Sequence, residues 1–182
     1  MRFFWVCLVG LLSTQTSAQT PWVKIQSVLT HPRCINCHTV TAYPTQANDR
    51  HRHQFGVARG EDNQGAAGLR CSACHQRENQ ASGIPGAPNW HLAPLAMGWE
   101  TAEGVAMKGP QLCRVLTDPT RNGGMTPAQL EDHLVHDPLV AWGWDAGTNS
   151  EGRRREAPPV PRAEFIEAVR EWVRLGTPCP GA

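Results

Sequence analysis

Apolar side chains return at helical spacing in several short stretches of the chain, and nowhere do they alternate over the length of a strand. Trp22, Ile25 and Leu29 share one helical face, with Thr20-Pro21 placed as N-cap and first helical residue. A second short helix is expected over Gly68 to Glu78, and one or two turns over Gln111 to Leu116. Thr126-Pro127-Ala128-Gln129 reads as a capping box, followed by Leu130 and Leu134 on an inner face. Asp137-Pro138 restarts a short helix through Ala141. The clearest helix runs from Pro161 to Leu175, with Phe165, Ile166, Val169, Trp172 and Val173 as its stripe and Gly176 at its stop. Residues 41–65, 79–110 and 145–160 have no period and read as loops. The pattern therefore predicts a mainly α class.

Composition adds length to the loops. The 182 residues include 17 Gly and 15 Pro, well above the average combined share of about 12%. Lys and Arg number 17 against 16 Asp and Glu, so no basic excess points to nucleic acid. A mean hydropathy of -0.41 excludes a polytopic membrane protein. Arg2, the apolar run Phe3 to Leu12 and the small residues Thr16-Ser17-Ala18 read as a secretory signal peptide over 1–18. The run is shorter than the roughly 20 residues of a membrane helix. Cleavage near Ala18 is expected to leave 19–182 as one domain in the periplasm with no transmembrane anchor, an uncleaved anchor being the alternative.

Export places the remaining six cysteines in an oxidising compartment, where they need an explanation. Four of them form two copies of one pattern, Cys34-Ile35-Asn36-Cys37-His38 and Cys71-Ser72-Ala73-Cys74-His75. Cys-x-x-Cys-His is the attachment signature of c-type haem. Two thiols form thioethers with the haem vinyl groups, and the next residue's imidazole becomes the proximal iron ligand, here His38 and His75. A four-cysteine zinc ribbon also uses paired C-x-x-C but needs no histidine after each pair. A thioredoxin-like motif would need a βαβ pattern that the chain lacks. The expected fold is thus a loop-rich dihaem cytochrome c domain, its short helices wrapped around two covalent haems that supply part of the core. The remaining pair, Cys113 and Cys179, is expected to form a disulfide.

The sixth position of each iron decides its chemistry. His53, beside Arg52 and ahead of Gln54-Phe55-Gly56-Val57, and His91, between Trp90 and Leu92, are the foremost distal candidates. Met97 and His133 are the next, with His31, His51 and His136 read as surface or supporting residues. Arg59, Arg70 and Arg77 lie near the motifs and could each meet a haem propionate.

On HPRCINCH, CSACHQ, PGAPNWHLAP with MGW after it, HLVHDPLVAWGW and WVRLGTPCP, the chain resembles a group of small exported dihaem c-type cytochromes. Members of that group sometimes carry the name isoquinoline 1-oxidoreductase subunit, which implies partnership with an exported molybdenum hydroxylase. The chain has no molybdopterin-sized domain, so the resemblance implies the electron-accepting subunit. A weaker similarity, a histidine-bearing loop ahead of the second motif, is to the dihaem subunit of periplasmic nitrate reductase. The expected function is periplasmic electron transfer, with a dehydrogenase or molybdenum hydroxylase as redox partner. The alternative is a small peroxidase-like dihaem enzyme with one open iron.

Overall fold

The computed structural model describes residues 20–181. The expected signal peptide lies outside the described residues. Pro21 opens helix α1 (Pro21–Leu29), although the Thr20 side chain makes no cap bond. Helix α2 (Pro32–Ile35) follows at once. Two minimal antiparallel hairpins come next: β1 (Thr45–Gln46) with β2 (His51–Arg52), and β3 (Gly65–Ala66) with β4 (Leu69–Arg70). Helix α3 (Gly109–Thr117) begins the second helical part, followed by α4 (Pro127–His136), α5 (Pro138–Ala141) and α6 (Arg162–Arg174).

The helix signals hold where caps are strong. Thr126 and Gln129 exchange both bonds of the capping box at α4. Asp137 accepts from the Leu139 amide at 2.7 Å and starts α5. Gly176 takes φ +82° just beyond α6, a conformation a side chain would resist.

The expected fold class is overturned. Of the described residues only 38% are helical, with six short helices and a few short strands, so the loops were expected but the mainly α class is not met. The helix expected over Gly68 to Glu78 is absent. Leu69–Arg70 pairs as a strand, and only a 3₁₀ turn at Cys71–Ala73 follows. The helices also build a core of side chains. α1 packs on α6, α6 on α4 and α1 on α3, around Ile25, Leu29, Leu112, Phe165, Val169 and Trp172. Trp22 and Trp172 meet with ring centres 5.5 Å apart. The apolar stripes satisfy one another and leave a self-sufficient side-chain core. Cys113 and Cys179 are bonded, with Cα atoms 5.5 Å apart, and pin the tail after α6 to α3. Among the described residues no helix is long and apolar enough to cross a membrane.

The first cysteine motif touches this core through buried Ile35 and partly buried Cys34, and the second stands outside it. The irregular stretch 89–108 runs back along the first motif and is bonded to it. Ala93 donates to the Cys37 carbonyl at 3.2 Å, Trp99 to the His38 carbonyl at 2.8 Å, and Met107 to Trp99 at 2.8 Å.

Candidate functional site

Both motifs adopt the same local turn. The amides of Cys37 and His38 donate to the Cys34 carbonyl, each at 3.2 Å. Those of Cys74 and His75 donate to Cys71 at 3.2 and 2.8 Å. Each turn therefore brings its imidazole round beside its two sulfurs. In each, the ring is then fixed from behind. His38 donates from Nδ1 to the Met97 carbonyl at 2.9 Å, and His75 from Nδ1 to the Pro85 carbonyl at 2.8 Å. A carbonyl can only accept, so the proton is on Nδ1 and Nε2 keeps its lone pair. Metal-bound histidines are held in this way. Flat indoles complete the support: Trp99 stacks on His38 at 3.4 Å and 9°, and Trp90 on His75 at 4.4 Å and 0°.

Burial keeps the first motif uncharged. It lowers the His38 pKa to about 3, against a smaller upward effect of the Met97 bond. It raises the Cys34 thiol to about 12 and Cys37 to about 11. Cys71 is shifted upward by burial as well, but the second motif is open, with Ser72, Ala73 and Cys74 exposed.

A cavity of about 160 Å³ opens in front of the first motif. Cys34, Cys37 and His38 line one side, and His91, His133 and Trp142 lie elsewhere on its wall. The aromatic pair Trp90 and Trp142, 4.8 Å apart and edge to face, joins this wall to His75 of the second motif.

The same tautomer reasoning sorts the remaining histidines. His53 donates from Nδ1 to the Gln54 carbonyl at 2.8 Å, leaving Nε2 free, and its ring centre is 5.9 Å from that of His75 at 71°. Two imidazoles on opposite faces of one metal ion, each bonded at about 2 Å, have centres roughly 6 Å apart. The geometry brings His53 to the second motif. His91 donates from Nδ1 to the Asn89 carbonyl at 2.5 Å and belongs to the first cavity. His133 lies there too, its Nδ1 3.2 Å from the Asp137 carboxylate.

His31 and His51 are organised differently. His31 caps α2 by accepting the Arg33 amide on Nδ1 at 3.3 Å, so its proton is on Nε2. His51 has both ring nitrogens engaged, by Asp49 at 2.6 Å and Gln46 at 2.8 Å. Met97 sits behind His38, since its carbonyl is the atom that orients that ring. Its sulfur is 3.5 Å from where a Cβ on Gly123 would stand. Sequence reasoning had no means to place Met97 there, because the contact joins residues 59 positions apart.

The three arginines also separate. Arg70 is held by both oxygens of Asp62, at 2.9 and 2.7 Å. Arg77 is exposed. Arg59 is only 5% exposed and bonds neutral oxygens alone. Among the described residues, no three or more His, Cys, Asp or Glu side chains gather as a metal site. Compared with known proteins, the chain matches no family model, no curated protein and no solved structure.

Proposed function

We propose that the chain is an exported electron-transfer protein carrying two c-type haems, one on each Cys-x-x-Cys-His turn. One observation carries the reading: both motif histidines have Nδ1 tied to a backbone carbonyl and Nε2 left free beside a pair of unbonded thiols. A zinc ribbon leaves the histidine after each cysteine pair unexplained. Haem iron, when bound, supplies a one-electron ferric/ferrous couple.

Each residue of the chain then has a defined task. Cys34, Cys37, Cys71 and Cys74 supply the sulfurs of the thioether links. His38 and His75 offer Nε2 as proximal ligand, and the carbonyls of Met97 and Pro85 fix their tautomer and orientation. His53 serves the second site as distal ligand. His91 serves the first, supported by its place on the cavity wall. Trp99 and Trp90 bar the rear of each proximal ring from water. With His53 and His91 as the further residues holding the groups, bound haem would supply electron transfer in preference to ligand chemistry. The resemblance to small exported dihaem cytochromes suggests a dehydrogenase or molybdenum hydroxylase as electron donor, in the periplasm.

The test is mass spectrometry and pyridine haemochrome analysis of the protein exported from a host with a c-type haem attachment system. The expected product is the chain from residue 19 plus two haems, resistant to acid–acetone extraction. Cys71→Ala with Cys74→Ala should lose the second haem alone. A protein without covalent haem refutes the reading.

A further inference from the structure

Arg59 is a cation shut inside the first site without an anion. Its Nε donates to Thr41 O at 3.1 Å and Nη2 to Thr39 O at 2.8 Å. Its Nη1 donates to Asn63 Oδ1 at 3.0 Å and to Ala93 O. Carbonyl oxygens satisfy these N–H groups and offset part of the desolvation cost, but they leave the full unit charge in place. The neighbouring charged groups bond elsewhere. Glu100, 3% exposed, is paired with Arg50, and Asp137, on the cavity wall, is bonded to His133, which balances its charge only when protonated. Arg33 bonds the Glu156 carbonyl, while the Glu156 carboxylate takes Asn48. The guanidinium is also braced against the motif itself. Thr39 directly follows His38, and Ala93 donates to the Cys37 carbonyl.

The second site has a more solvated counterpart. Arg70 is neutralised by Asp62. Arg155, which donates to the Ala146, Thr148 and Gly83 carbonyls, is half-exposed and therefore screened by solvent. Three residues of the second turn face water.

We propose that Arg59 sets an order of potentials, making the first haem the higher of the two, so that an electron entering at the exposed second site comes to rest at the buried first. The inference rests on the two-haem reading above. Ferric haem carries one more positive charge than ferrous haem. A fixed cation and a low-dielectric surround both disfavour that extra charge, so both raise the potential of the first iron. The step is a single electron passing from the ferrous second iron to the ferric first iron, with no proton moved and no bond broken. Trp90, stacked on His75, and Trp142, on the wall of the first cavity, keep the two sites in continuous contact.

The experiment is a spectroelectrochemical titration of the holoprotein, its haem content first fixed by pyridine haemochrome. Wild type should titrate in two resolved steps. In Arg59→Met the upper midpoint should fall and the lower stay, while Arg59→Lys, which keeps the charge, should retain the upper one. The protein with Cys71→Ser and Cys74→Ser, keeping the first haem alone, should titrate at the upper midpoint. That measurement decides the order even if Arg59→Met does not fold. Absence of covalent haem overturns both this inference and the reading beneath it. Two haems with the first at the lower midpoint, or an upper midpoint unmoved by Arg59→Met, overturn this inference alone.

Discussion

Removing the Cys113–Cys179 bond should cost this protein about a third or more of a typical domain's stability. The bond joins residues 66 positions apart. On the chain-entropy model, opening a loop of that length returns about 4 kcal/mol of freedom to the unfolded chain, against a usual total of roughly 5–15 kcal/mol. The native side of the bond is well supported. Cys113 is completely buried on α3, and Trp172 of α6 donates to the Pro178 carbonyl at 3.0 Å, holding the tail beside its partner. The perturbation is Cys113→Ala with Cys179→Ala, since alanine leaves no buried hydroxyl or thiol without a partner. Urea unfolding followed by tryptophan fluorescence should show the midpoint falling with little native rearrangement, and the melting temperature should drop by roughly 10 °C. A loss below about 1 kcal/mol would refute the reasoning. It would mean that the tail is held by packing alone, or that the unfolded chain already keeps these residues together.

Gly86→Ala tests the support of His75. A Cβ there would stand 2.2 Å from the Glu78 carbonyl oxygen and 2.5 Å from that of Gln76. The Pro85 carbonyl should shift, with a stability loss of about 2 kcal/mol and selective loss of the second haem in pyridine haemochrome analysis. His53→Met should move one haem's near-infrared magnetic circular dichroism band from the bis-histidine to the histidine–methionine position, and an unchanged spectrum removes His53 as a ligand. Asp137→Ala removes the cap of α5 and the partner of His133, at about 1 kcal/mol in denaturant titration. The His133 hydrogen bond, with smaller help from the Leu139 amide, lowers the Asp137 pKa below its usual 3.8. Its contribution is therefore complete above pH 3.8 and is lost as pH falls through the lower folded value. Wild type should lose its advantage over Asp137→Ala in that acid range.

The helices that could be read from the sequence are those with their own local chemistry. Thr126 and Gln129 cap α4, Asp137 caps α5, and five apolar residues mark the stripe of α6. The two cysteine motifs were equally legible, because their spacing lies within five residues. What failed was whatever depends on partners outside the stretch itself. Gly68 to Glu78 shows no breaker strong enough to exclude a helix, yet Leu69–Arg70 is claimed by a hairpin with Gly65–Ala66. The core was expected to need haem, because 32 Gly and Pro residues suggest too little regular structure. The few helices present instead bury their stripes against one another, and the Gly and Pro are spent in the loops that carry the sites. His53 was identifiable as a candidate, but its approach to His75 depends on the β1–β2 hairpin, whose two-residue strands leave no periodic trace.

The meeting of α1 with α6 also fixes a sequence of events in the life of the chain. These helices lie at opposite ends of the described residues, so their contact is among the most non-local in the fold. A polypeptide made N-terminus first presents α1 and α2 long before α6 arrives. Until then the apolar face of α1 has only α2 and α3 to pack against. The turn at Cys34 and Cys37 meets its partners sooner, since the 89–108 stretch bonds the Cys37 and His38 carbonyls and α4 and α5 line the cavity before it. The C-terminal helix therefore comes last, completing the core beneath a first site that other segments have already built.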